Sequence, residues 1–273
     1  MNPEDCARVA ELCAEHAGLC VDPDKPYLIE SRLAPLARRE GFASVDDLAQ
    51  ALRPPAESRL VAQAVEAMAP AETSFFRDRP TLERLWREVV PQLARGRPDG
   101  AVRIWSTGCA AGQEIYSLAM LQADEPAATG RAELFASDYA ERLLERARAG
   151  IYSSFEVQRG LPARLLVRHF ENRGEEFQLT RAIRQSVRWR QVNLMDDFSA
   201  LGGFDVVLCR HVLSGMTAAG RARALQRIEP AVAPGGVLVL GGGEAAPDLA
   251  GFEPAPELDG AFRRSSGGAR AAA

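Results

Sequence analysis

The spacing of apolar positions changes character near residue 80. Between residues 3 and 70 they recur at helical intervals, as in the stripe Val9, Leu12 and Cys13. Asp24 is placed to cap a helix that enters through Pro26 and continues as YLIESRLAPLARRE, and Pro35 is expected to kink or break it. Further helices are predicted at SVDDLAQALR, capped by Ser44, and at ESRLVAQAVEAM. From residue 80 helices alternate with short apolar strands. Helices are read at TLERLWREVVPQLARG, GQEIYSLAMLQA, AERLLERARAG and AAGRARALQRIEPAV, and strands at AVRIWS, AELFASD, SVRWRQVNL, FDVVLCRH and GGVLVLGG. That alternation predicts an α/β domain with a mostly parallel sheet covered on both faces. Residues 160 to 186 break the rhythm: FENRGEEFQLT reads as an antiparallel hairpin turning at Gly174. The chain after about 250, rich in Pro, Gly, Ala and Ser, is expected to be loosely ordered. The expected division is therefore a helical domain and linker over 1–79 and an α/β domain over 80–273, with a small β-subdomain at about 160–186.

Composition narrows the class. A chain of 273 residues with 47% hydrophobic content can bury a sizeable core, and its net charge of −4 argues against nucleic-acid binding. Lys25 is the only lysine, so positive charge is carried by arginine. Cys6, Cys13 and Cys20 lie seven apart, but no Cys-x-x-Cys or histidine pair accompanies them. They are read as packing residues in a reducing cytoplasm, with no metal site. No apolar run approaches the ~20 residues of a membrane span and no signal peptide is apparent, so the expectation is a soluble cytoplasmic protein without membrane insertion. Nothing demands more than a monomer.

The candidate chemistry centres on RIWSTGCAAGQEIYSLAM at 103 to 120, where a strand runs through a glycine turn into a helix. A P-loop is excluded because no lysine follows the turn. The dinucleotide pattern is excluded because only Gly108 and Gly112 are present. Gln113 and Glu114 open the helix, and a carboxylate there repels a pyrophosphate. A ligand with positive groups and no phosphate suits it, which points to S-adenosylmethionine. Small residues would let the backbone approach the ligand. Asp138 ends the next strand, where an open α/β sheet places ribose-binding carboxylates; capping of the following helix is the alternative.

Four segments together resemble the CheR family of chemotaxis receptor methyltransferases: ETSFFRD at 72 to 78, the glycine turn with GQEIYSLAM, ARAGIYSSFEVQRGLP at 147 to 162, and FDVVLCRHVL at 204 to 213. YLIESRL is similar to the family's first helical region. The resemblance implies a helical N-terminal domain followed by a Rossmann-like S-adenosylmethionine-dependent methyltransferase domain with a small antiparallel β-subdomain. It also implies O-methylation of glutamate side chains on the methyl-accepting helices of a chemoreceptor signalling domain, with S-adenosylhomocysteine as product. Carried over by position, Thr73 and Arg77 match cofactor contacts, and Ala71 stands where the family has asparagine. Gly108, Glu114, Asp138, Asn193, Leu194, Arg210 and His211 complete the implied cofactor pocket. Arg77 and Arg210 are the implied catalytic residues, orienting cofactor or substrate carboxylate. Arg77 pairing with Glu72 or Asp78 is the purely structural alternative.

The departures gather at the pocket. Gly215 and Met216 stand where the family has tyrosine and phenylalanine, and GGGE at 241 to 244 replaces Gly-His-Ser-Glu. Ala71 removes one cofactor hydrogen bond, and an unpaired polar group costs roughly 1–3 kcal/mol. Two readings stand: an active protein-glutamate O-methyltransferase, and a degenerate relative that binds cofactor or receptor without transferring methyl. A small-molecule methyltransferase is a weaker third. In the family a basic face docks on the receptor; Arg32, Arg38 and Arg39 are the candidates here. The acidic turn ENRGEE argues against dependence on a receptor pentapeptide tether.

Overall fold

A computed structural model describes residues 1–97, 100–125, 131–244 and 251–265. The chain forms two compact units, the first comprising Met1–Pro70, Asn193–Asp197 and Ser214–Arg227, the second the remainder.

In the first unit α1 (Pro3–Ala17), α2 (Pro26–Arg39), α3 (Val45–Ala51) and α4 (Ser58–Met68) bury one another's apolar stripes. Val9, Leu12, Cys13, Leu33, Leu48 and Val65 are each no more than 2% exposed. Asn2 caps α1 by accepting from the Asp5 N–H, and Ser44 caps α3 by accepting from the Asp47 N–H, as its sequence predicts. Asp24 is not the cap of α2. Lys25 holds that position without a side-chain bond, while the Asp22 carboxylate accepts from the Asp24 N–H and pairs with Lys25. The helix also runs through Pro35 unbroken. Pro35 and Ser31, whose carbonyl loses its usual donor, are both exposed residues, so the lost bond falls on the solvent side of the helix.

The second unit is a seven-stranded sheet in the order β6-β2-β1-β7-β8-β10-β9. Its strands are β1 (Ala101–Thr107), β2 (Arg131–Asp138), β6 (Val187–Gln191), β7 (Phe204–Cys209), β8 (Val232–Leu240), β9 (Phe252–Pro254) and β10 (Ala261–Arg264). The first five of these pair in parallel, and β10 pairs antiparallel with both β8 and β9. Every residue of β7 is buried, as a central strand covered on both faces requires. Helices α7 (Gln113–Asp124) and α8 (Glu141–Ala149) supply crossovers, and α12 (Ala218–Ala231) leads into β8. A helix formed by α5 (Arg79–Arg84), a π-turn and α6 (Val90–Arg95) precedes β1.

The hairpin read at 170 to 180 is present as β4 (Phe170–Arg173) and β5 (Glu176–Leu179), turning at Gly174 with φ +83°. The small sheet begins earlier than residue 160, because β3 (Ile151–Ser153) pairs antiparallel with β5. Helices α9 (Ser154–Gln158), α10 (Ala163–His169) and α11 (Arg181–Gln185) surround it. The expected loose tail is different over 252–264, which is the β9–β10 hairpin. Bonding to the β8 edge orders it, with Ala261 facing Val239. Residues 245–250 and 266–273 lie outside the described residues.

Candidate active site

Chain order runs from β1 outward through β2 to β6, then returns to the other side of β1 as β7. The crevice at the carboxyl ends of β1 and β7 is the topological switch point, where open α/β sheets bind ligands. Gly108 follows β1 there, and Arg210 and His211 follow β7.

The glycine turn is built by strain and close approach. Gly108, Ala110 and Gly112 have φ of +55°, +48° and +86°. The Cys109 N–H donates to the Ser137 carbonyl and the Ala110 N–H to Asp138 Oδ2 at 2.8 Å, so β2 holds the turn. Asp138 Oδ1 accepts from the Ala140 N–H at 2.9 Å. Asp138 therefore shapes the turn and caps the exit of β2, whatever else it contacts. Protein packs closely on the Cβ side of both glycines. A Cβ on Gly108 would lie 2.7 Å from Val212, and one on Gly112 2.7 Å from Trp189. Packing against these side chains is thus a reason of its own for glycine at both positions. Burial pushes the Cys109 thiol well above its ordinary range and Cys209 up to about 12, so neither is a thiolate nucleophile at neutral pH.

Glu114 lies in the first turn of α7, where the helix dipole favours a carboxylate. It accepts from the Ser106 hydroxyl at 3.2 Å and from Arg210 Nη1 at 2.6 Å. The Arg210 side chain is 1% exposed and fully engaged at its two terminal nitrogens. Both donate to the Arg77 carbonyl at 3.1 Å, and Nη2 also donates to Asp78 Oδ2. Phe76 and Asp78 have φ of +51° and +52°, a conformation that non-glycine residues adopt only when surroundings impose it. Arg210 is thus an internal clamp between α7 and the segment before α5. The Arg77 guanidinium, by contrast, has no partner among the described residues: Glu72 pairs with Arg159 and Asp78 with Arg210.

His211 adopts φ +60°, and its Nε2 lies 3.4 Å from Asp78 Oδ2. Glu244 Oε2 accepts from the backbone N–H of His211 and of Gly241, at 2.7 and 2.8 Å. That carboxylate clips the ends of β7 and β8 together. A Cβ on Gly241 would stand 2.7 Å from the His211 ring, so glycine is required where the family has it.

Glu114, Arg210, His211 and the Arg77 carbonyl are brought together with Asp78 and Glu244, to which the motifs assign no role although both lie within segments they single out. Thr73 is half-buried and Ala71 exposed, on the same run that leads to Arg77. Asn193 and Leu194 fall in the first unit, where the Asn193 amide donates to the His16 carbonyl at 2.7 Å and its Oδ1 accepts from the Met195 N–H at 3.0 Å. Gly215 and Met216 also belong to that unit. The Gly215 carbonyl accepts from the Cys20 N–H, and Met216 bridges Leu19.

The donor set fits S-adenosylmethionine. The carboxylates of Asp78 and Glu114 share a single cation, Arg210, so the pair keeps negative charge that suits an ammonium or sulfonium. A free guanidinium at Arg77 complements an amino-acid carboxylate. Arg210 Nε and Gln113 Oε1 are buried without protein partners, a cost a polar ligand can relieve.

The family model of the CheR methyltransferase SAM-binding domain matches residues 71–255, and that of the CheR all-alpha domain matches residues 4–68. The chain is 36% identical to the chemotaxis protein methyltransferase Cher2 of Pseudomonas putida over 234 residues, covering 84% of this chain and 85% of that one. It is 36% identical to chemotaxis protein methyltransferase 1 of Pseudomonas aeruginosa, covering 85% and 86%. For a chemotaxis protein methyltransferase of Vibrio parahaemolyticus the identity is 31%, covering 84% of each. S-adenosylmethionine is accordingly the cofactor of this fold, and the chain belongs to the CheR methyltransferase family.

Proposed function

We propose that the protein transfers the methyl group of S-adenosylmethionine to glutamate side chains on the methyl-accepting helices of a chemoreceptor signalling domain. The observation that carries this reading is the arrangement around Arg210: a buried clamp fixes Asp78 and Glu114 at the switch point and leaves the neighbouring Arg77 guanidinium uncommitted. The bound cofactor supplies a methyl carbon already activated by its sulfonium. A glutamate with pKa ~4.3 is ionised at neutral pH, so its oxygen forms the ester bond without a general base. With the cofactor bound, the C–S bond would break as the C–O bond forms, the electron pair staying on sulfur. Catalysis then rests on alignment and on excluding water. Arg77 orients a carboxylate, of cofactor or substrate. Because the nucleophile is already ionised the reaction needs no base, and His211 serves the pocket wall beside Asp78.

Receptor docking is assigned to the exposed side of α2. Tyr27 and Leu28 are exposed there, as are Arg38 and Arg39, with Arg39 also contacting Glu40. Arg32 is partly spent, since its Nη1 donates to the Met68 carbonyl at 2.8 Å. Among the described residues no helix is long and apolar enough to cross a membrane. The test is incubation with methyl-labelled S-adenosylmethionine and purified receptor signalling domains. Label released as methanol at alkaline pH, and lost when acceptor glutamates are replaced by alanine, supports ester formation. Label absent from every receptor of the host, or stable to base, contradicts it.

A further inference from the structure

The motif IYSSFEVQRGLP is the part of the sequence that the cofactor contacts leave unexplained. It lies in the small β-subdomain, yet both of its ends reach the walls of the candidate site. At one end the Tyr152 hydroxyl donates to the Ala111 carbonyl, inside the glycine turn, at 2.7 Å. Tyr152 is fully buried, and burial raises its pKa well above the ordinary phenol range, so it remains a donor at any working pH. At the other end Gly160, with φ +89°, lies against the Phe75 backbone. A Cβ there would stand 2.2 Å from the Phe75 carbonyl oxygen. The Phe75 ring packs edge-on against Tyr152 at 4.9 Å and Phe170 at 5.7 Å. The next residue, Phe76, donates its N–H to Ser117 Oγ at 2.9 Å. Arg77 and Asp78 follow immediately, on the strained run that Arg210 clamps.

We infer that Tyr152 and Gly160 are positioning residues for the cofactor site: the motif is a strut that sets the glycine turn with one end and the Thr73–Asp78 run with the other. The β-subdomain is then part of the methyl-transfer machinery in its own right, independent of anything its hairpin binds. The backbone geometry explains why glycine is demanded at 160. Any side chain displaces the Phe75 carbonyl, and the displacement passes through Phe76 to Arg77. This inference rests on the reading of Arg77 as a cofactor or substrate contact.

The experiment measures S-adenosylhomocysteine affinity by calorimetry, and thermal unfolding by circular dichroism, for the full chain and for Y152F, G160A and G174A. Gly174 has a comparable φ of +83°, but a methyl group added there would meet nothing within 4 Å, so G174A carries the backbone strain without displacing the site. The expected result is a Kd raised about tenfold or more in Y152F and G160A, measured well below their unfolding midpoints, with G174A within about twofold of the parent. A merely structural strut would lower the midpoints and leave the Kd of the folded protein unchanged; that result overturns the inference. Should G160A not fold, Y152F decides, since it removes one oxygen from a buried site and adds nothing. Failure of the parent itself to bind overturns the proposed function, and the inference with it. Normal parent binding with unaffected variants overturns the inference alone.

Discussion

Two arginines of this site do different work, and their surroundings separate them. Arg77 has a guanidinium without a partner among the described residues, whereas Arg210 is buried between Asp78 and Glu114. R77A should therefore leave the unfolding midpoint nearly unchanged and raise the Kd for S-adenosylhomocysteine about tenfold to a hundredfold, the loss of one charge-assisted hydrogen bond. R210M should instead destabilise the fold by about 3 kcal/mol, read as a lowered urea midpoint, because two facing carboxylates lose their shared cation. The cysteines give a third residue-level test. Cys6, Cys13, Cys109 and Cys209 are buried, and burial raises Cys13 to about 12; Cys20 is exposed. A raised thiol pKa keeps the proton on at pH 8 and withholds the reactive thiolate. A thiol reagent should label Cys20 rapidly in the native protein, and the other four only on unfolding.

Among the elements, the join between β1 and α7 is where local conformation and packing agree most tightly. Gly112 opens α7 in the left-handed region and abuts both Trp189 and Ala147. G112A must bear backbone strain and an overpacked contact together, and should cost about 3 kcal/mol in urea unfolding. Much at this scale is legible in the sequence. The alternation after residue 80 predicts the parallel strands, because central strands such as β7 are apolar on both faces. The β9–β10 hairpin is not legible. Strands of three and four residues carry too few positions to display a period, and Pro254 argues against a strand unless it lies at an edge, where β9 is. Pro35 and Asp24 mislead for a related reason: a local rule is overridden by an exposed helix face and by Asp22. The motifs single out Glu114, Arg210 and His211 but neither their pairing nor the part of Asp78 in it. Arg210 meets Glu114 and Asp78 across 96 and 132 residues, and only the sheet order brings such separations together.

For the whole molecule, the question is how a receptor is engaged. The β4–β5 turn carries Glu175 and Glu176, and the Asn172 side chain closes it onto the Gly174 N–H at 2.8 Å. With docking proposed on α2, a tethering tail is assigned no role. Removing or exchanging the receptor's C-terminal pentapeptide should change methylation by less than about threefold, against the ~10²-fold that an effective tether supplies. The same assay with R38E and R39E combined should lower methylation while leaving cofactor affinity intact, if the basic side of α2 is the docking face.

Everything proposed for this protein requires that the cluster at the β1–β7 switch point bind S-adenosylmethionine despite Ala71 and His211. The decisive measurement is calorimetric titration of the full chain with S-adenosylhomocysteine. Saturable binding at one site per chain is expected, with a Kd on the order of micromolar, near −8 kcal/mol. Absence of binding up to millimolar ligand would contradict it and leave a methyltransferase fold without its cofactor.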